Sequence, residues 1–407
     1  MDIFYLLTTI CLSLNLMTLG GRVQEFMTTW PGLNRDLLRH ERFGRYIRSS
    51  ERQARRILRT LPLSGKTPLE QIEEITNYVK SMYTWNGFSG IYAGKPLRAF
   101  MRERVGNVAN LNLFLIGLLQ AADFDVSPVI LSTRGSGSIS RFHPFERFFN
   151  YVIAMVTVDG ETLFLDATEP LLPFAKLPER CIGVDGLIVD RREERWVQTQ
   201  QADLAMQQWD FLITPLPMEN RSFVEIANYT SGPFAHLNRR IYAEGRDRFL
   251  VRLNRRYNIN PQNVVISNQR ELREPFIFSF EDYIGLESHD DRLYIAPFCN
   301  LSISNNPFRQ TTRTLPVDLL FPRGFIYSST IAIPEGYKVK FLPAEARIDN
   351  SSIFFQYTSQ IVDNEIIISA KYKLRKGIFP ASDYHTLREG MNTIIQKLSE
   401  VVILERK

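Results

Sequence analysis

The sequence predicts an α+β chain in which a helix buried on all sides lies against an antiparallel sheet, followed by β-rich domains of sandwich type. Three observations carry that expectation. Leu111, Phe114, Ile116, Leu118 and Leu119 follow Gly106-Asn107 and are apolar almost all round, as in a helix with no solvent face. Two apolar runs, 151–158 and 161–167, flank Asp159-Gly160, a strong short signal for a two-residue hairpin turn. Beyond Gln198 short β-type runs alternate with Pro, Asn and Gly.

Composition narrows the classes. A chain of 407 residues has room for about three domains. Its 44% hydrophobic and 23% charged residues exclude a disordered or fibrous protein. The three cysteines, Cys11, Cys181 and Cys299, are too few for a disulfide scaffold and form no CxxC knuckle. The five histidines form no HExxH or HxxxH pair, so no metal site and no cofactor is predicted. The net charge of +5 is concentrated in one place: nine arginines lie between Arg35 and Arg59, against Asp36, Glu41 and Glu51. Such a patch could hold phosphates or anionic lipid. Without a groove-reading motif it reads instead as a helix face whose arginine stems pack on a neighbouring domain, and no nucleic-acid partner is expected.

The elements follow in order. Residues 3–19 are uncharged, yet Asp2 precedes them and the first basic residue is Arg22, the reverse of a signal peptide. Ile10, Leu12, Leu14 and Leu16 alternate with Cys11, Ser13 and Asn15, which predicts a strand rather than a targeting segment. Residues 34–61 read as one or two basic helices broken near Gly44 and ended by Pro62-Leu63-Ser64-Gly65. Thr67, Pro68 and Glu70 form a helix start with a capping box, and Leu69, Ile72, Ile75, Val79 and Met82 make a core-facing stripe. The buried helix comes next, then a strand over 126–132, a Gly/Ser-rich loop over 134–140 and the hairpin. In the second half the β runs are 223–228, 276–280, 293–295, 330–333, 338–342, 353–357 and 365–372. A last helix carries Tyr384, Leu387, Met391, Ile394, Ile395 and Leu398 at steps of three and four, and a strand-like run 401–404 follows it. The predicted organisation is 1–61, an N-terminal strand and basic segment read as the remnant of an upstream β-domain; 62–190, the α+β core; 199–300, a β-rich intermediate region; and 301–407, a C-terminal β-domain.

A buried helix followed by an antiparallel hairpin is also the layout of papain-like sites. There a cysteine at the helix N-terminus is activated by the dipole, and His and Asp on adjacent strands complete a triad. A turn at Asp159-Gly160 pairs Val158 with Glu161, so Tyr151 faces Thr168 and Ile153 faces Asp166. Tyr151 and Asp166 are then diagonal neighbours on one face, roughly 7–8 Å apart at the backbone. Asp166 could equally be a strand-end residue bonded to local backbone.

These residues carry a resemblance. Trp85-Asn86-Gly87, Gly106-Asn107-Val108-Ala109-Asn110-Leu111, Phe149-Asn150-Tyr151-Val152-Ile153 and Leu165-Asp166-Ala167-Thr168 resemble the transglutaminase-like core of a group of multidomain bacterial proteins. Asn306-Pro307-Phe308, Arg313, Pro316-Val317-Asp318 and Ile333-Pro334-Glu335-Gly336-Tyr337 resemble that group's trailing β-domain. The resemblance spans residues 28–407. It implies a papain-like core, a cell-envelope or periplasmic setting, and a cleft involving Trp85, Asn107, Tyr151 and Asp166. It also implies where the triad should stand, and the departures there matter most. Val108 occupies the nucleophile position and Tyr151 the base position, and only Asp166 matches. Valine has no nucleophilic atom, and a phenol with a pKa near ~10 is a poor base at neutral pH. Cys181 reads as a small buried residue and His143 as a loop histidine, so neither substitutes.

The function expected from these departures is a catalytically inactive transglutaminase-like protein, a peptide- or polymer-binding or architectural module. Its expected partners are an extended peptide or a cell-surface polymer, with no firm membrane association. The alternative is a cysteine peptidase, amidase or transamidase with an unrecognised nucleophile.

Overall fold

The structure, a computed structural model, describes residues 16–19, 22–25, 29–191, 193–199, 203–257 and 259–407. They fall into two compact units, Met1–Gln201 and Ala202–Lys407. Among the described residues no helix is long and apolar enough to cross a membrane.

In the first unit, β1 (Leu16–Leu19) and β2 (Arg22–Glu25) pair antiparallel. The alternating residues from Ile10 to Asn15 lie outside the described residues. Two basic helices follow, α1 (Trp30–Arg39) and α2 (Gly44–Leu58), broken where the sequence predicts. Next come α3 (Pro68–Met82), β3 (Thr84–Trp85), α4 (Leu97–Glu103), β4 (Val105–Gly106) and α5 (Val108–Ala121). The strands β5 (Asp125–Leu131), β6 (Tyr151–Val158), β7 (Glu161–Leu165), β8 (Asp185–Ile188) and β9 (Arg195–Gln198) form an antiparallel sheet in the order β7-β6-β5-β8-β9.

Local chemistry explains these elements. α3 opens with the reciprocal bonds of a capping box: Thr67 N donates to Glu70 Oε2 at 2.8 Å, and Glu70 N to Thr67 Oγ1 at 3.3 Å. Ile72, Ile75 and Val79 are buried as predicted, whereas Leu69, in the first turn, is 44% exposed. α5 is buried on every side, packing on β5 and β6 with one face and on α2 with another. Gly117 permits that second contact, because a Cβ there would come within 2.5 Å of Ser50 Cβ. Asn110 Nδ2 donates to Tyr46 Oη at 3.0 Å across the same boundary, and Asn34 Nδ2 donates to Ile188 O at 3.1 Å. The basic helices are thus built into the same unit as the core, although the sequence separates 1–61 from 62–190. The reason is that their apolar faces, Leu33, Leu37, Tyr46, Ile47, Ala54 and Ile57, are buried within it.

The second unit runs β10 (Ala205–Leu216), β11 (Arg221–Ser231), α6 (Pro233–Ala243), α7 (Arg246–Tyr257), β12 (Gln262–Ser267), β13 (Phe276–Gly285), β14 (Glu287–His289) and β15 (Arg292–Ile295). It continues with β16 (Val317–Asp318), β17 (Arg323–Ala332), β18 (Tyr337–Phe341), β19 (Ala346–Asp349), β20 (Ile353–Val362), β21 (Glu365–Leu374), β22 (Ile378–Phe379), α8 (Tyr384–Leu398) and β23 (Val402–Arg406). Eight strands form one sheet in the order β12-β13-β11-β10-β17-β21-β20-β19, parallel only between β10 and β17. A four-stranded sheet, β14-β15-β23-β18, and a small β16-β22 pair complete the unit.

This arrangement corrects two expectations. The region is not a pair of sandwich-type domains divided near 300, since β10 of the first predicted piece pairs directly with β17 of the second. Nor is the intermediate region β throughout: α6 and α7, which the sequence does not predict, join the predicted α8 and the small sheet in one hydrophobic core on one face of the large sheet. Trp209, Phe211, Val224, Ile226, Phe278 and Phe355 supply that face. On the opposite face Leu212 and Val265 stand 41% and 59% exposed. The overall class is α+β with several largely antiparallel sheets.

Candidate functional site

The hairpin sets the site. β6 and β7 pair Val158 with Glu161 and Ala154 with Leu165, the register of a two-residue turn. Asp159 and Gly160 take φ of 51° and 80°, the left-handed pair that this turn requires. Tyr151 at the start of β6 and Asp166 just past β7 therefore come together, and Tyr151 Oη donates to Asp166 Oδ2 at 2.8 Å.

Around them lies a closed set of donors. Thr168 donates to Asp166 Oδ1 from its backbone N at 2.7 Å and also from its hydroxyl. Asn112, in the second turn of α5, reaches Asp166 Oδ2 with Nδ2 at 3.3 Å and accepts from Ala167 N at 2.8 Å. The Asp166 carboxyl group thus accepts at both oxygens. The two hydroxyls also lie 2.9 Å from each other; the Asp166 carboxylate is the stronger acceptor, and with both protons directed at it each hydroxyl presents lone pairs outward. Arg180 fills those positions: Nη2 donates to Tyr151 Oη at 2.9 Å and to Thr168 Oγ1 at 2.6 Å, while Nη1 donates to Glu169 Oε1 at 2.7 Å. Its guanidinium lies over the Trp85 ring at 4.5 Å and the Tyr151 ring at 5.2 Å.

The other predicted positions hold backbone. Val108 is fully buried at the first position of α5, and its N–H donates to Phe88 O at 3.2 Å. Asn107 caps α5, accepting from Asn110 N at 3.0 Å and from Gly94 N at 3.1 Å and donating to Tyr92 O at 2.8 Å. Trp85 donates its indole N–H to Phe88 O at 2.9 Å. Of the four predicted cleft residues, Trp85, Tyr151 and Asp166 meet around Arg180, and Asn107 is engaged in shaping the loop before the helix.

Burial, followed by the neighbouring Asp166, pushes the Tyr151 phenol well above its usual range. Cys181 is fully buried, and burial and then Asp166 push its thiol well above its ordinary value. The charges acting on it are those of Asp166, Arg180 and Glu169, with no histidine among them. His143 lies against Phe145 in the loop before β6. Lys80 is buried and donates to Leu172 O at 2.8 Å, and burial pushes its ammonium down to about 8 against the pull of Asp166, Glu169 and Glu73. Among the described residues no cluster of His, Cys, Asp and Glu could hold a metal ion.

Sequence reasoning missed Arg180, Glu169, Lys80 and Asn112. A buried carboxyl group requires compensating donors, but no periodic or motif signal says which residues supply them.

Residues 291–404 match a family described as a domain of unknown function with a solved structure (DUF3858), which overlaps the stretch 301–407 read as a trailing β-domain. No curated protein matches the chain. Among solved structures, the chain is similar to a protein from Parabacteroides distasonis whose crystal structure is described as that of a "putative protease". The two are 11% identical with a TM-score of 0.55, and the match covers 94% of this chain and 60% of that one. The chain therefore spans less than two thirds of that protein's length, and at this identity the likeness is one of fold.

Proposed function

We propose that residues 62–190 are a transglutaminase-like core that has lost its chemistry and is kept as an architectural module. The observation that carries this reading is the Tyr151–Asp166–Thr168–Arg180 cluster. At the place where a triad would activate a nucleophile, both hydroxyl protons are committed to Asp166 and the outward lone pairs are covered by Arg180. Buried Val108 at the helix N-terminus supplies no attacking atom, and a thiol kept neutral by burial, as in Cys181, is a poor nucleophile. The filled space over Tyr151 favours this role over retention of an extended peptide or cell-surface polymer.

The test is incubation of the purified chain with amine donors, glutamine peptides and generic peptidase substrates. No turnover is expected. Turnover abolished by Cys181→Ala would overturn the reading and install the cysteine peptidase or transamidase alternative.

A further inference from the structure

A cavity of about 520 Å³ opens in the second unit between one end of the eight-stranded sheet and helices α6 and α7. Its lining is mainly apolar and aromatic, with Gln207, Thr230 and Asn238 as neutral polar residues among it. Phe278 and Phe325 form the sheet side, Phe234 and Ile241 of α6 one wall, and Phe249 and Leu253 of α7 the other. Its size and lining are those of a small-molecule site.

The charge around it has one sign. Arg252, Arg255 and Arg256 lie on one face of α7, at the spacing that makes helix residues neighbours, and all three line the cavity together with Arg323. No aspartate or glutamate lines it. Arg252, Arg255 and Arg256 are exposed and form no ion pair among the described residues. Arginines near a helix C-terminus also complement its dipole, but that requires neither an adjacent chamber nor the exclusion of carboxylates from its lining. Guanidinium groups bind carboxylate and phosphate in a bidentate manner, so a largely apolar chamber rimmed by Arg252, Arg255 and Arg256, which have no carboxylate partner among the described residues, selects a ligand of matching polarity.

We propose that this cavity binds a single-chain amphiphilic anion, with the alkyl chain in the chamber and a carboxylate or phosphate head at the Arg252–Arg256 rim. The site lies wholly in the second unit and does not depend on whether the Asp166 cluster is silent.

The test is calorimetric titration of the full chain with decanoate, decyl phosphate and uncharged decanol. Saturable binding of one anion per chain is expected, at least tenfold tighter than decanol. The tighter of the two anions identifies the source as a free fatty acid or a phosphorylated lipid. The exposed triple variant R252Q/R255Q/R256Q should weaken binding at least tenfold. Leu237→Trp, enlarging a half-exposed side chain of the lining, should abolish it. A control in another arginine-rich region, R48Q/R52Q/R55Q, should leave binding unchanged. No saturable binding by the unmodified chain, equal affinity for decanol, or unchanged affinity in the triple variant would each overturn the proposal.

Discussion

One hydroxyl, Tyr151 Oη, joins three residues: it donates to Asp166, accepts from two nitrogens of Arg180 and lies 2.9 Å from Thr168 Oγ1. Tyr151→Phe keeps the ring and its packing but removes that junction. Arg180 then retains Glu169 and Thr168, and Asp166 retains Thr168 and Asn112, so the loss is partial. The expected destabilisation is about 1–3 kcal/mol, that of buried partners left short of a bond, read by denaturant unfolding. A loss below a few tenths of a kcal/mol would show that the cluster is not what holds β6 and β7 to α5. Lys80 gives a second test. Burial holds its ammonium at about 8 against an ordinary 10.5. Between these values the unfolded chain keeps a proton that the folded chain has released, so this residue makes stability rise with pH through that window. The gain amounts to at most about 3 kcal/mol. Cys181 and Tyr151 act in the opposite sense, since folding holds them neutral while the unfolded chain ionises them. The quantity to measure is therefore the unfolding free energy of the parent minus that of Lys80→Met. It should climb from about pH 8 to 10.5. A flat difference would mean that burial does not depress this lysine.

Helices α2 and α5 meet over a glycine, and the consequence can be measured. A Cβ at Gly117 would lie 2.5 Å from Ser50 Cβ and 2.8 Å from Ile47 O. Alanine is the better helix former by about 0.8–1 kcal/mol. Separating two packed helices costs more, so Gly117→Ala should destabilise by a net amount on the order of 1–3 kcal/mol. A raised melting temperature in that variant would mean that the helices are not in contact there. Which elements the sequence predicts follows from how each is built. α3, α5, α8 and the β6–β7 hairpin carry their own signals: a capping box, an apolar surface, a three-and-four stripe and an Asp-Gly turn. α6 and α7 carry almost none. α6 buries Ala235, His236 and Arg239, and Arg239 is held by backbone carbonyls of the 268–274 loop, including Glu271 O at 2.8 Å. α7 buries only Phe249 and Leu253 among many arginines. A helix that rests on so few apolar side chains leaves little periodicity to read. The site divides in the same way. Tyr151 and Asp166 follow from strand register, while Arg180 arrives on a single 3-10 turn, Glu179–Cys181, in the long connection between β7 and β8, whose path no local rule fixes.

Long-range pairing decides the organisation of the whole chain. The predicted boundary near 300 falls in a stretch between β15 and β16 that forms neither strand nor helix, yet β10 before it and β17 after it pair in one sheet. Composition registers the loop and cannot register which strands meet across it. The C-terminus depends on the same principle. β23 lies between β15 and β18, so it is an inner strand of the small sheet although it is the last strand of the chain. α8, just before it, buries Tyr384, Leu387, Met391, Ile394 and Leu398 in the core shared with the large sheet. Each fully buried large side chain contributes roughly 1.5–3 kcal/mol before entropy is subtracted. A net stability of roughly 5–15 kcal/mol does not survive the loss of several of them together with an inner strand. Deleting residues 383–407 should therefore unfold the second unit while residues 62–190, whose core lies in the first unit, stay folded. Hydrogen exchange reads the two outcomes separately: amides of β10, β11, β17 and β21 should lose protection, and those of α5 and β6 should keep it. If the shortened chain protects β17 and β21 as the full chain does, α8 and β23 are an appendage, and the apolar stripe on α8 must be explained by a surface that it meets outside this core.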